Sequence, residues 1–175
     1  MIEKPFSRAV PVTDISREPR HYRLDADAGE RALLAEALGI PEVAALAAEI
    51  EIRPLPGRSY GVRGSLKAEV VQTCVVTLEP VPETVAEMID VTLVPAPVAG
   101  ARKAPVLVDA EAEGGPNIYE NGRIELGAIV AEHLALGLDP YPRKPGVDFP
   151  GHIEDLPGPE ESPFAKLAAL KTRGE

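Results

Sequence analysis

Residues 46–57 read Leu-Ala-Ala-Glu-Ile-Glu-Ile-Arg-Pro-Leu-Pro-Gly, and the alternation in this stretch decides the fold. Its apolar side chains fall on one parity and most of its polar side chains on the other, until Pro54 and Gly57 interrupt the pattern. A period of two predicts a β-strand with one buried face, and the Pro-Gly segment predicts a turn into a second strand. The positions that we expect to be buried in the first strand are Leu46, Ala48, Ile50 and Ile52.

The alternation resumes after the turn and continues through residues 62–78. Gln72 interrupts its apolar parity, and the run exceeds the usual strand length of about 3 to 10 residues, so we expect a bend or bulge near Gln72. A third apolar pattern over residues 85–93 completes a predicted antiparallel meander of residues 44–94. The apolar positions of the second strand are Val62, Leu66, Ala68, Val70, Cys74, Val76 and Leu78.

Two amphipathic helices and two short strands flank the meander. Residues 6–12 and 21–26 are predicted strands, and a capping box of Asp27 and Glu30 begins a helix that ends at Gly39. A second helix runs from about residue 125 to 137, and the Pro-rich segment 139–142 stops it. The apolar stripes are Leu33, Leu34, Ala37 and Leu38 in the first helix, and Leu126, Ile129, Val130, His133 and Leu134 in the second.

The predicted fold class is α+β, an antiparallel, barrel-like β-sheet (a meander) with two main helices packed on it and a short C-terminal helix. Residues 1–150 are expected to form one domain, with an acidic, Gly- and Pro-rich loop at 95–123 that has room for a short strand at 106–108. Residues 151–175 are expected to be a linker and a short docking helix, in which Phe164 and Leu167 offer contacts to a partner.

The composition narrows the class of protein. The chain has 175 residues with one cysteine and three histidines, which excludes an internal disulfide and leaves no cluster at metal-ligand spacing. Its N-terminus lacks an apolar leader and no stretch approaches the roughly 18 apolar residues of a membrane span, so we expect a cytoplasmic protein. A net charge of -10 opposes non-specific binding to nucleic acid, and any RNA contact must therefore be local.

Catalytic chemistry has few candidates in this sequence. Cys74 is either a buried apolar residue of the sheet or a nucleophile, and the parity that it shares with the core favours burial. His133 is either a core histidine or an acid-base group, and its place on an apolar stripe favours the core. Three acids of the long loop form either a divalent-ion site or a solvated acidic loop, and their spacing lacks the pattern of an EF-hand. They are Asp109, Glu111 and Glu113.

P-loop, GxSxG, HExxH and paired CxxC patterns are absent from the sequence, so we expect neither an enzyme nor a bound cofactor or metal.

A basic hairpin is the best candidate for binding. Between residues 53 and 67 the chain carries four cations and no acid, and Tyr60 near the turn offers a ring on which a base can stack. The alternative is an ordinary charged solvent face. We call the set of five residues the hairpin surface, and it comprises Arg53, Arg58, Tyr60, Arg63 and Lys67.

Two further basic groups are candidates for binding. Arg17, Arg20 and Arg23 would extend the hairpin surface if the N-terminal strands lie beside it. Arg143 and Lys144 follow the stop of the second helix, where they form either a rigid recognition loop or a structural turn.

Residues 70–81, Val-Val-Gln-Thr-Cys-Val-Val-Thr-Leu-Glu-Pro-Val, resemble the central signature of the YceD family. Residues 131–143, Ala-Glu-His-Leu-Ala-Leu-Gly-Leu-Asp-Pro-Tyr-Pro-Arg, resemble the C-terminal helix and stop of that family, and residues 162–165, Ser-Pro-Phe-Ala, its short terminal motif. The helix that ends at Gly39 resembles the upstream element, and the similarity is closest to the alphaproteobacterial branch. Many members have a cysteine where this chain has Thr77, and often another near Lys144, so no metal site is carried over.

The resemblance implies a part in the accumulation of 23S ribosomal RNA and in assembly of the large ribosomal subunit, without established catalytic residues. The expected partner is a large-subunit precursor, its 23S rRNA or an assembly protein. Two alternatives from other classes remain, which are a small-ligand-binding barrel or cryptic enzyme, and a protein-interaction adaptor that makes no RNA contact.

Overall fold

The computed structural model describes residues 5–15, 18–96 and 117–147. Two compact units divide the chain, residues 1–145 and 146–175, and every described helix and strand lies in the first. The seven strands are β1 (Ala9–Pro11), β2 (Arg20–Asp25), β3 (Glu42–Leu55), β4 (Ser59–Thr73), β5 (Pro80–Pro95), β6 (Asn117–Tyr119) and β7 (Arg123–Glu125). The helices are α1 (Ala28–Leu38) and α2 (Leu126–Leu136), and short 3-10 turns span Val12–Asp14 and Pro56–Arg58.

A five-stranded sheet with the order β2-β3-β4-β5-β6 forms the body of the protein. The first three pairs of neighbours are antiparallel and the last pair, β5 with β6, is parallel. The long hairpin of β3 and β4 is paired from Leu55 opposite Ser59 to Glu42 opposite Val71. The predicted mixed α+β architecture with an antiparallel meander is therefore confirmed.

A separate two-stranded sheet of β1 and β7 lies close to the larger one. The Arg8 guanidinium, next to β1, contacts the Asp25 carbonyl at the end of β2 and the Glu30 carboxylate of α1. A single bridge between Glu120 and Arg123 closes the turn that leads from β6 into β7. Within the described residues no ladder joins the two sheets, so a closed barrel is not found. The strands β1, β6 and β7 are three residues each, too short to complete one.

One face of the sheet is buried beneath both helices. The predicted apolar parity of β3 and most of that of β4 is confirmed, because Ile50, Ile52, Val62 and Leu66 all lie in the core. In α2, Ile129, Val130 and Leu134 are buried as predicted. The opposite face of the sheet carries exposed polar residues that alternate with the core residues, as expected for an antiparallel sheet covered on one side.

Helix α1 confirms its predicted ends and part of its predicted stripe. The Asp27 carboxylate accepts the N–H of Glu30 in a capping box, and Gly39 ends the helix in the left-handed conformation at φ 66°. Leu34 and Ala35 are the buried residues, whereas Leu33 is 44% exposed. Leu38 packs partly buried against the core, so the stripe holds at Leu34 and Leu38 and includes Ala35 in place of Leu33.

Three predictions about the second half of the sheet were wrong or incomplete. Strand β4 ends at Thr73, and Leu78, predicted to be buried, is 77% exposed at φ 61°. The register of β4 with β5 runs unbroken through Gln72, and the bulge lies instead in β3 between Val43 and Ala45. The predicted loop at 95–123 contains β6 and the first residue of β7. Its central part, including the strand predicted at 106–108 and the three loop acids, lies outside the described residues, as do Phe164 and Leu167.

Candidate functional site

The tip of the β3–β4 hairpin has an unusual backbone. Gly57 and Arg58 both have positive φ, at 74° and 62°. The Tyr119 hydroxyl, from β6, donates a hydrogen bond of 2.8 Å to the Arg58 carbonyl oxygen. The Tyr119 ring in turn meets the Tyr60 ring edge to face, with 5.5 Å between centroids. Tyr60 is therefore partly committed to packing, which limits the base-stacking role that its position near the turn predicted.

Arg53 lies across the strand that follows the tip. Gly61 is its neighbour in the register, and a Cβ on Gly61 would come within 3.1 Å of the Arg53 Nε atom. The absent side chain of Gly61 makes room for Arg53 to lie against the sheet. The Nε atom is buried and has no hydrogen-bond partner among the described residues. Arg53 is thus held close to the backbone, and the rest of its guanidinium provides its remaining hydrogen-bond donors.

The middle of the hairpin surface is neutralised by the neighbouring strands. The Arg63 guanidinium forms a salt bridge of 3.1 Å with the Asp90 carboxylate of β5. On its other side Arg63 is registered with Glu51 of β3, whose carboxylate lies 3.6 Å from the His21 imidazole. Acids that are missing between residues 53 and 67 along the chain are therefore supplied across the sheet.

Lys67 and the N-terminal arginines differ in their neighbours and in their distance from the hairpin tip. Lys67 is exposed between Ala47 and Ala86, roughly 30 Å along the strand from Arg58. Arg20 is registered with Ile52, the residue before Arg53, so it lies on the opposite face of the sheet from Arg53. Arg23 is in a salt bridge of 3.2 Å with Asp25. Arg17 lies outside the described residues. The structure therefore brings Arg53, Arg58 and Arg20 to one end of the sheet and leaves Lys67 apart from them.

A tight turn follows β4 and contains Cys74. Cys74 is fully buried, as predicted, but it follows the strand and does not lie within it. Its N–H donates to the Glu79 carbonyl at 2.8 Å, and its Sγ accepts the N–H groups of Thr77 at 3.4 Å and Lys144 at 3.5 Å. Both N–H donors are backbone amides, so neither of them can act as a general base toward the thiol.

The Cys74 turn is fastened to the segment after α2. The Val75 N–H donates to the Pro142 carbonyl at 2.9 Å, and the Gln72 side-chain amide donates to the Asp139 carbonyl at the same distance. The Lys144 ammonium pairs with the Glu79 carboxylate at 3.0 Å. The structural-turn alternative for Lys144 is therefore supported, and Arg143, next to it, is exposed. Gln72, which interrupts the parity of β4, is explained by its bond to Asp139.

The remaining candidates for chemistry have structural partners. The Nδ1 atom of His133 lies 2.9 Å from the Ile129 carbonyl of its own helix. No group of three or more His, Cys, Asp or Glu side chains in the described ranges is arranged to hold a metal ion. Two surface depressions, of about 450 and 520 Å³, are lined by residues of β6, β7 and α2 and of the exposed sheet face, and neither reaches Cys74 or His133.

Residues 62–171 match the family model described as Large ribosomal RNA subunit accumulation protein YceD, which is more than half of the chain. The chain belongs to the YceD family. Neither the curated proteins nor the solved structures contain a match to it. The YceD match includes the Cys74 turn, β5 and α2 but begins after Arg53, Arg58 and Tyr60. Among the described residues of this YceD chain, no helix has the length and apolar character needed to cross a membrane.

We expect the Cys74 thiol of this YceD protein to ionise near neutral pH. Hydrogen bonds from the Thr77 side chain and amide, and then from the Lys144 amide, lower the pKa of Cys74 to about 6 against the opposing effect of burial. An ultraviolet titration of the thiolate in the folded protein should follow this pKa, and Thr77→Val should raise it while Thr77→Ser leaves it nearly unchanged. A titration at the ordinary thiol pKa of about 8.5 would contradict this prediction.

The same pKa makes the stability of the protein depend on pH. Because the folded-state pKa is below the unfolded one, the thiolate contributes its full stabilisation above about pH 8.5, and this contribution is lost as the pH falls through about 6. The free energy of unfolding of the natural protein, relative to that of Cys74→Ser, should therefore rise across this window.

Proposed function

We propose that this YceD-family protein is a non-enzymatic, cytoplasmic assembly factor that supports accumulation of 23S rRNA by binding a large-subunit precursor. Arg53 and Arg58 at the hairpin tip contact phosphates of the rRNA. The family supports the process, since its name refers to accumulation of the large ribosomal RNA subunit. The contact rests on one observation, namely that the tip arginines have no acidic partner in the part of the chain that the structure describes, whereas Arg63 is paired with Asp90.

The acidic body of the protein is consistent with a local contact. With a net charge of -10, the protein as a whole is repelled by polyanions, and this repulsion suppresses indiscriminate binding to RNA. The repulsion is screened beyond about 8 Å at physiological ionic strength, so arginines at the tip still attract a phosphate that approaches them. Planar guanidinium groups bind phosphate through paired N–H donors, which suits these residues to a small contact.

The test is complementation of a depleted strain by Arg53→Ala/Arg58→Ala, with Arg63→Ala as the matched control. We expect the natural protein and the control to restore the ratio of 23S to 16S rRNA, and the double variant to leave it low. In binding to purified precursor particles, loss of two phosphate contacts should make the dependence of affinity on salt shallower by about 1.4 to 1.8 in the log-log slope. Thermal unfolding of each variant checks that the fold is retained.

Three outcomes would change the proposal. A 23S to 16S ratio that is unaffected by depletion removes the role in rRNA accumulation. A double variant that binds and complements like the natural protein removes the RNA contact at the tip. An equal defect in Arg63→Ala shows that the whole hairpin surface matters and not its tip.

A protein-interaction adaptor is the second candidate, favoured by exposed apolar side chains near the Cys74 turn. Val75 is 40% exposed, Leu78 is 77% exposed at a positive φ, and Tyr141 on the adjoining segment is 69% exposed. The hydrogen bond from Val75 to Pro142 joins the two segments that carry them. Association with precursor particles that survives nuclease treatment and the Arg53/Arg58 substitutions would favour this candidate. The ligand-binding barrel has less support, since the sheet interior is filled by a mostly aliphatic core.

A further inference from the structure

Arg58 has a backbone conformation that an arginine rarely adopts. Its φ of 62° places it in the left-handed region, which carries a steric cost for a residue with a Cβ. Glycine adopts this region without that cost, and the preceding Gly57 does so at φ 74°. A backbone held in a sparsely populated region persists only where the surrounding structure stabilises it.

Tyr119 supplies that stabilisation from a distant part of the chain. Its hydroxyl donates to the Arg58 carbonyl across 61 positions of sequence. The ring itself is fixed, since Tyr119 is 7% exposed and packs edge to face against Tyr60. Its backbone is fixed as well, by the pairing of Tyr119 with Pro95 and a bond from the Ala96 N–H to the Tyr119 carbonyl at 2.9 Å. Burial raises the pKa of Tyr119, so its hydroxyl remains a donor at neutral pH.

This arrangement restricts the backbone at Arg58 while the residue itself stays exposed. The carbonyl of Arg58 is held by the hydroxyl, so rotation of this peptide unit breaks a hydrogen bond. A backbone that is ordered before binding loses less conformational entropy when the side chain engages a ligand. Arg53 differs, because it is restrained by its own contact with Gly61 and not by Tyr119.

We propose that Tyr119 is a positioning residue, which holds the left-handed backbone of Arg58 in the conformation that binds a phosphate of single-stranded RNA. This inference rests on the proposed function. It predicts energetic coupling between two residues, one that touches the RNA and one that does not. Tyr119 acts only through Arg58, so removal of its hydroxyl should matter only while the arginine is present.

A double-mutant cycle with Tyr119→Phe and Arg58→Gly tests this coupling. Glycine at position 58 keeps the backbone conformation without the side chain, so the fold should be retained. The probe is a single-stranded uridine oligonucleotide at low salt, and its affinity is measured for the natural protein and the three variants. We expect Tyr119→Phe to weaken binding about fivefold, as for loss of one hydrogen bond, and to have no further effect in the Arg58→Gly background.

The outcomes separate this proposal from the function on which it rests. An equal loss from Tyr119→Phe in both backgrounds identifies a general structural role and overturns the positioning. A weakened Arg58→Gly protein with an unaffected Tyr119→Phe protein also overturns the positioning but leaves the RNA contact standing. Natural affinity in Arg58→Gly removes the RNA contact at this residue. Arg58-dependent binding of a poly-glutamate peptide, with none of the oligonucleotide, overturns RNA as the ligand in favour of an acidic protein.

Discussion

Gly64→Ala should unfold this protein or lower its free energy of unfolding by about 3 kcal/mol or more. Gly64 lies in the middle of β4, paired with Ile50 on one side and Ile89 on the other. A Cβ at this position would come within 2.1 Å of the Glu49 carbonyl oxygen and within 3.0 Å of the Ile50 Cα. Both neighbours are backbone atoms of a paired strand, so the clash cannot be relieved by rotating a side chain. Chemical denaturation of the purified variant measures the loss.

The matched control is Gly61→Ala, three residues earlier on the same strand. The three atoms nearest to its Cβ would all belong to side chains, two to Arg53, the nearer at 3.1 Å, and one to Leu55. We expect the free energy of unfolding to change by less than about 1 kcal/mol, because a long side chain can move. Alanine normally stabilises a strand interior relative to glycine by roughly 0.5 to 1 kcal/mol, so a large loss at Gly64 requires the close approach of β3. Equal stability of the two variants would contradict that approach.

The sheet was predictable because its information is local. From Leu46 to Ile52, apolar residues occupy every second position, and these are the positions that the structure buries. The end of β4 was not predictable in the same way, since the apolar parity continues through Val76 and Leu78. The strand ends in a turn closed by the Leu78 N–H to the Cys74 carbonyl at 3.0 Å, and contacts with residues almost seventy positions later, such as the bond from Gln72 to Asp139, hold this turn in place. A local pattern does not contain such contacts.

The candidate site, too, could be predicted from the sequence only in part. The run of cations from Arg53 to Lys67 is visible in the sequence, and it located the hairpin. Whether each cation is free depends on the register, which brings Asp90 and Glu51 beside Arg63 but only alanines beside Lys67. Tyr119 was missed because it falls in a segment that the composition predicted to be a loop. A Tyr between Ile118 and a turn was the available signal, and it indicated a short strand at most.

In helix α2, we expect Leu134→Ala to destabilise the protein strongly and Leu136→Ala to leave its stability almost unchanged. Leu134 is fully buried against the sheet, and loss of its side chain should lower the free energy of unfolding by about 3 kcal/mol. Leu136, two residues later, is 74% exposed, and the same substitution should change stability by less than about 0.5 kcal/mol. Leucine and alanine both favour helices, so the contrast isolates packing from helix propensity. Urea denaturation of the two variants provides the comparison.

The contrast also tests what holds the Cys74 turn in place, since α2 leads directly into the segment that is hydrogen-bonded to this turn. If α2 were anchored mainly by that segment, through Gln72 to Asp139 and Lys144 to Glu79, Leu134→Ala would cost little and the two variants would unfold alike. If the core anchors the helix, as the burial of Val130 and Leu134 indicates, the turn is held in place by α2. Leu134→Ala should then also raise the pKa of Cys74 toward its ordinary value, because its sulfur loses the amide of Lys144 when the segment loosens.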